Sequence, residues 1–466
     1  MSESEMLAQE VLREAERLRR SLSGNFRDEM VKSLYAEAER VARRAVRPIG
    51  ERKYDLDRLL DRLVTSPWTG LPIMLLLLAV IIWITVVGAN IPSELLAQLL
   101  FGIEAFAADL FTAWGAPWWL TGFLWHGVWR GLAWVISVML PPMAIFFPLF
   151  TFLEDLGYLP RVAFNLDWLF KKAGAHGKQA LSMAMGFGCN AAGVIATRVI
   201  DSPRERLVAI LTNNFVPCNG RFPTLIMLAT IFVAASFPPL LSSFVAAATV
   251  LAVVLIGIGF TFLMSWLLTR TLLRGEASAF TLELPPYRPP NVWRILYTSL
   301  IDRTIFVLWR AMQTAAPAGA LIWILGNVYL GPMSLAQRLA AFLNPLGHLL
   351  GLDGAILLAY VIAIPANEIV VPTLLMIYMG TGMMTELPSL NMLKELLVQQ
   401  HGWTLLTAIN LMLFSLLHNP CATTILTIYK ETGSKKWATW SVIVTLGSAF
   451  VVTFLVATLA RTIFRH

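Results

Sequence analysis

Residues 222–269 read FPTLIMLATIFVAASFPPLLSSFVAAATVLAVVLIGIGFTFLMSWLLT, without a single Asp, Glu, Lys or Arg. A bilayer core takes about 20 apolar residues per helix, so this stretch is long enough for two spans. The paired prolines 238 and 239, inside SFPPLLSS, cannot continue a helix and mark the turn between them. Charge-free stretches recur at 67–93, 131–153, 311–337, 396–429 and 437–460. The expected fold is all-α, a polytopic transmembrane helical protein.

Composition supports this reading. The chain is 57% hydrophobic and only 14% charged, with 16 Trp and a mean hydropathy of +0.67; soluble chains carry roughly 25% charged residues. The charges crowd at one end, residues 1–66 holding 27 of the 65. Three parts follow: a cytoplasmic helical segment 1–66, a first membrane half 67–303 and a second half 304–466. The opening MSESEMLAQEVLREAERLRR has no apolar core before a cleavage site, so it is not a signal peptide and is expected in the cytoplasm. Residues 4–20 and 28–47 read as amphipathic helices around the turn SLSGNF, either a solvated hairpin or a docking surface for a cytosolic partner. Three cysteines are too few for a disulfide framework. The net charge of +7 belongs to positive cytoplasmic loops; no basic tract interleaved with aromatics points to nucleic acid.

Lys and Arg accumulate on the cytoplasmic side, which orients the spans. After a first span at 68–90, the loop 91–122 holds Glu94, Glu104 and Asp109 but no Lys or Arg, and is expected outside with 95–113 as an interfacial helix. Residues 154–178, 270–303 and KETGSKK at 430–436 are basic and cytoplasmic. If 304–330 crosses outward and 403–428 inward, 355–380 cannot cross fully and reads as re-entrant or broken. The region 180–199, ALSMAMGFGCNAAGVIATRV, is likewise interrupted by glycines. Each broken segment is followed by a helix carrying a Pro-Cys pair, NNFVPCNGRFPT (213–224) and LLHNPCATTILT (416–427). Interrupted helices at matching places in two halves mark the substrate site of inverted-repeat transporters.

The residues at these places suit a cation. In GFGCN (186–190) two glycines would unwind the helix and expose carbonyls, with Cys189 a soft ligand and Asn190 an oxygen donor; the alternative is that the glycines only allow close packing. Pro217 frees carbonyls beside Cys218. Arg221 is the lone charge between 207 and 269 and is expected to pair with a carboxylate or anchor its helix. Glu368, in IPANEIVVP, is the only charged residue between 354 and 385, either attracting a cation or forming an internal ion pair. His418 stands three residues before Cys421, on the same face if the helix is continuous. Thiol and imidazole favour a first-row transition metal over Ca²⁺ or Mg²⁺. There is no G-x-x-x-x-G-K-S/T phosphate loop, H-E-x-x-H or G-x-S-x-G, so the chain is expected to be a transporter and not an enzyme.

The segment FFPLFTFLEDLGYLPRVAFNLDWLFKKAGAHGKQALSMAMGFGCNAAGVIATRVI (146–200) resembles the first Gate segment of the ferrous iron transport protein B (FeoB) family. The resemblance continues through PCNGRFP, LELPPYRPP (282–290), IPANEIVVPTLLMIY and NPCATTILTIYKETGSKKWATWSVIVTLGSAF, and runs from about Tyr54 to the C-terminus. It implies two Gate-type inverted repeats in a bacterial inner membrane, Fe²⁺ as cargo with no permanently bound cofactor, and Cys189, Cys218 and Cys421 at the family's membrane cysteines. Glu283 falls on the glutamate of the ELPxYR pattern. The implied partners are the lipid bilayer, a separate small GTPase subunit and a small cytosolic Feo-type protein, with a homo-oligomer left open. The chain departs from the family where GFGCNAAG replaces GFGCNVPA, Asn367 replaces a lysine and Asn419 a phenylalanine. Mn²⁺ or an organic solute as cargo, or a non-transporting scaffold, are the alternative readings.

Overall fold

The computed structural model describes residues 26–45, 56–66, 68–275, 289–387 and 389–463, with Val11, Leu12, Glu14, Arg17 and Tyr287 besides. Among these, seven helical stretches are long and apolar enough to cross a bilayer. The strands are confined to a two-residue ladder, Tyr329–Leu330 against Met333–Ser334. The polytopic all-α expectation holds. Glu283 and most of the expected 4–20 helix lie outside the described residues.

Helix α1 is Phe26–Ala45 and α2 is Leu56–Thr65. Leading into the membrane body, α2 is tied down at two points: Asn165 donates to Val64 O (2.6 Å), and the buried Arg161 donates to Asp61 Oδ1 (2.9 Å). Arg161 also donates to Gly157 O and lies 3.8 Å from the Tyr287 ring centroid, so the apolar surroundings leave its charge paired.

The expected loop at 91 does not form. Helix α3 is one 44-residue element, Gly70–Ala113, running through Pro92. At 1.5 Å per residue it is about 66 Å long, twice a bilayer core. Pro92 removes one hydrogen bond and crowds the preceding turn, a local cost of about 3 kcal/mol, whereas packing against α4 (Trp118–Asp155) extends along the helix. Glu104, which suggested a solvated loop, is 2% exposed and is held by His126 Nδ1 (2.6 Å) and Arg130 Nε (3.2 Å) of α4.

Helix α4 passes through a π-helical segment, Gly122–Trp129, where it meets α11 (Val292–Asn327). Small residues permit this approach, as in membrane helix pairs generally. A Cβ on Gly131 would stand 2.9 Å from the Gly319 Cα, and one on Gly127 2.9 Å from the Trp323 Cβ.

Between these two helices in the chain come α5 (Tyr158–Lys172), α6 (Gln179–Gly188), α7 (Asn190–Ala196), α8 (Pro203–Thr212), α9 (Phe222–Leu228) and α10 (Pro239–Arg270). The chain turns at Phe237 and Pro238, and α10 restarts with Pro239 at its first position, where a missing N–H costs nothing. Beyond α11 lie α12 (Leu335–Leu349), α13 (Gly354–Ile362), α14 (Val370–Met379), α15 (Leu405–Leu417), α16 (Ala422–Thr432) and α17 (Lys435–Ile463). Helices α12 and α13 meet at 111°, the sharp corner being capped by Asp353, which accepts from Ile356 N (2.7 Å).

The layering follows polarity. The apolar helices α3, α10 and α17 have mostly exposed flanks, whereas α15 and α16 are mostly buried. In lipid an apolar surface needs no cover, so the interior collects the polar and interrupted helices. Overpacking a glycine contact costs about 1–3 kcal/mol. Gly131→Val should push α4 off α11 and lower the midpoint of thermal unfolding in detergent, and Gly102→Val, whose Cβ meets open space, should not.

Candidate functional site

Four helix interruptions meet at the centre of the molecule. Cys189 is an extended residue (φ −155°, ψ 125°) between α6 and α7. Val216, Pro217 and Cys218 are non-helical between α8 and α9. Ala366 (φ −153°, ψ 122°) precedes Asn367 and Glu368 between α13 and α14. His418 (ψ 172°) to Cys421 (ψ 158°) separate α15 from α16. The Pro-Cys pairs therefore sit in the gaps of broken helices, not within continuous ones as expected. Proline removes a donor and strains the preceding turn, so the helix stops where the thiol begins.

Of the two readings of the glycines, close packing is the one the geometry matches. Gly186 and Gly188 are both helical, and Cys189 itself makes the break. A Cβ on Gly186 would stand 2.9 Å from Asn213 Oδ1, one on Gly193 2.6 Å from Asn213 Nδ2, and one on Gly188 would overlap the Phe146 ring. Close packing is their role, and it brings Asn213 to the break, where its amide donates to Asn190 O (3.1 Å). With its amide turned to satisfy its neighbours, Asn190 donates to Val216 O (3.2 Å) and Gly186 O (3.1 Å).

Arg221 joins the two halves. Its guanidinium, 1% exposed, donates to Asn214 O (3.1 Å), Leu416 O (2.7 Å), His418 O (3.2 Å) and Asn419 O (3.5 Å). Of its two expected roles Arg221 takes that of an anchor: three of the four carbonyls stand at the C-terminal end of α15, where a helix dipole favours a cation. His418 is not on one helical face with Cys421, because α15 ends at Leu417. Its Nδ1 meets Ser415 O (2.8 Å) and its Nε2 meets Asn367 Oδ1 (3.2 Å), so it latches one break to another. Ala422 N donates to Ile364 O (2.8 Å) and completes that junction.

Inside this frame lies a cavity of about 30 Å³. Cys189, Cys218, Cys421, Asn190, Asn367 and Glu368 line it, as do Met139, Met143 and Thr423. His418 does not. The two methionines were missed from sequence, although their spacing of four puts both thioethers on one face of α4. Thr423 Oγ1 is buried without a partner. Among the described residues no three His, Cys, Asp or Glu side chains converge as a metal-binding group, so the donors are strung along the cavity and do not form a cage.

Glu368 stands at a boundary. It lines both the central cavity and an outer vestibule of about 530 Å³, whose other charged residues are Glu94 and Glu386. Gly220 lies against the carboxylate and leaves no room for a Cβ. No ion pair engages Glu368 among the described residues. On the opposite side Val307 is shared between the central cavity and a vestibule of about 620 Å³ that carries Arg198, Arg303, Arg310 and Lys430. The three cavities thus share walls in series, with acidic lining in the first, sulfur donors in the second and a mostly basic lining in the third.

The chain matches the Gate family, described as Nucleoside recognition, over residues 136–232 and 292–435, and the family Ferrous iron transport protein B C terminus over 250–302. The Fe(2+) transporter FeoB of Staphylococcus aureus is 28% identical over 430 residues, covering 88% of this chain and 60% of that protein. The Fe(2+) transporter FeoB of Methanocaldococcus jannaschii is 30% identical, covering 71% of this chain and 48% of that protein. A Porphyromonas gingivalis Fe(2+) transport protein A/Fe(2+) transporter FeoB fusion protein is 26% identical, covering 85% and 51%. The chain thus spans about half to three-fifths of the length of these relatives. A solved structure of CNTnw in an inward-facing substrate-bound state aligns with a TM-score of 0.41 at 14% identity, covering 88% of this chain and 100% of that one.

A buried carbonyl left without its donor costs about 1–3 kcal/mol. Arg221→Met should therefore lower thermal stability in detergent sharply, and Arg221→Lys should recover part of the loss through its shorter ammonium.

Proposed function

Because this chain belongs to the ferrous iron transport protein B family, through its Gate and C-terminal membrane segments, we propose that it carries Fe²⁺ across the bacterial inner membrane along the route through the central cavity. The supporting observation is the meeting of four helix interruptions around one cavity that holds three thiols, two thioethers and one carboxylate. Glu368 draws the cation in from the acidic vestibule, since a half-buried carboxylate without a counter-ion attracts positive charge strongly. Cys189, Cys218 and Cys421 then replace water in its shell, helped by Asn190 and Met143; soft donors suit Fe²⁺ better than Ca²⁺ or Mg²⁺. Strung-out donors hold an ion weakly enough to release it, which conduction requires. His418 positions Asn367 and does not itself bind the ion.

The cavity's size supports an ion over an organic solute. A volume of about 30 Å³ suits one bare ion or a water or two, while small-molecule sites run to about 300–1,000 Å³. Residues 1–66 form the cytoplasmic docking segment in this reading, with 67–303 and 304–466 as the two membrane halves. A GTPase drives the cycle from the cytoplasm. A small Feo-type protein assists, a pairing supported by the fused Porphyromonas gingivalis relative.

In cells lacking their own ferrous uptake, this chain together with the GTPase should raise accumulation of radioactive iron supplied as Fe²⁺. Glu368→Gln should reduce the initial rate about tenfold, the scale of electrostatic focusing, and Cys421→Ser should reduce it while leaving membrane expression unchanged. Unchanged iron uptake with proven expression of both partners would overturn the reading. Selective uptake of Mn²⁺ would replace the cargo and keep the route.

A further inference from the structure

The basic vestibule has a charge imbalance that the cation route does not use. Its lining brings four cations, Arg198, Arg303, Arg310 and Lys430, against two carboxylates, Glu154 and Glu431. Both carboxylates are taken: Arg303 holds Glu154 at 3.0 Å, while Glu431 receives Arg198 at 2.6 and 2.8 Å and Arg206 at 2.9 Å. Arg310 is left with the Thr427 hydroxyl at 3.4 Å and the Phe306 ring at 4.1 Å. Among the described residues neither Arg310 nor Lys430 has a carboxylate partner. Arg310 lies within α11, a membrane-spanning helix, where a lone cation is costly unless something answers its charge.

The remainder of the wall is apolar, including Phe150, Leu181, Ile195 and Phe306. Phe306 is 46% exposed, so the wall continues onto the outer face of α11. A cationic end joined to an apolar wall matches a molecule with an anionic head and a hydrocarbon tail. Basic pockets between membrane helices on the cytoplasmic side take anionic lipid headgroups, and the basic loops place this vestibule on that side.

We infer that the vestibule binds one anionic phospholipid. Its phosphate sits between Arg310 and Lys430, and its acyl chain runs along Phe306 and Leu181. A zwitterionic head would bring an ammonium against the four cations and bind poorly. A free phosphate ester would gain nothing from the apolar wall. The lipid would also offset the positive potential met by a cation leaving the central cavity; that consequence alone rests on the transport reading.

The test uses the full chain purified in nonionic detergent, with lipid occupancy read by native mass spectrometry. Phosphatidylglycerol should bind saturably, and phosphatidylcholine at the same concentration should not. Arg310→Gln should weaken phosphatidylglycerol about fivefold, the worth of one basic side chain at an anionic lipid surface, while Arg310→Lys and Lys172→Gln should leave it near the original value. In the unmodified chain, a photoactivatable phosphatidylglycerol should label the peptide containing Phe306 and Arg310. Equal binding of phosphatidylcholine, equal affinity in Arg310→Gln, or labelling confined to other peptides would each overturn the site. Displacement of the lipid by millimolar glycerol 3-phosphate would overturn its assignment to lipid in favour of a free phosphate ester. None of these readouts requires iron to move.

Discussion

A helix broken inside a membrane leaves backbone carbonyls with no water to receive them, and in this protein the guanidinium of Arg221 answers four of them at once. The rest of the central architecture depends on that arrangement. Asn214 belongs to the first half, while Leu416, His418 and Asn419 belong to the second. One side chain therefore sets how far apart the two Pro-Cys gaps can stand. Asn213, Asn190, His418 and the Ala422–Ile364 hydrogen bond extend the same function to the other breaks. These donors hold the carbonyls freed at the breaks, while the thiols, thioethers and Glu368 line the cavity.

This division of labour resolves an apparent conflict in the site. A buried arginine beside a cation route would repel the cargo if its charge faced the cavity. Arg221 does not line that cavity, and its charge is spread over carbonyl dipoles behind the thiols. The charged side chains that line the proposed route stand toward its ends, with Glu94, Glu386 and Glu368 at one mouth and the arginine-rich vestibule at the other. A polarity of this kind favours capture at the acidic side and makes the basic side the place where counter-charge is needed.

Much of the site was legible in the sequence. Proline beside cysteine, glycine clusters and an isolated glutamate are costly in lipid, so their presence in apolar stretches pointed to two interruptions, at 180–199 and 355–380, and to Cys189, Cys218, Cys421 and Glu368 as candidates; the breaks at the two Pro-Cys pairs came only with the structure. The failures came from reading single residues by their commonest context. Glu104 suggested a solvated loop, but His126 and Arg130 bury it inside a continuous helix. His418 suggested a ligand because a continuous helix was assumed across Pro420. Gly186 and Gly188 allowed either unwinding or close packing, and the space they leave for Asn213 and Phe146 favours the second. Met139 and Met143 looked like ordinary apolar residues, and nothing local distinguishes a thioether that faces a cavity from one that fills a core.

What the sequence determined by itself is the solvent and the helical secondary structure, because long charge-free stretches are stable in a bilayer as helices; it did not determine where each helix stops, since Pro92 lies inside a continuous helix while Pro217 and Pro420 stand in gaps. Which partner satisfies each freed carbonyl, and whether a given side chain latches a break or lines the cavity, was decided only when residues about 200 positions apart came into contact, as Arg221 and Leu416 do. The reason is physical. The cost of an unpaired polar group is local and can be read residue by residue, but the donor that removes the cost arrives from another part of the chain.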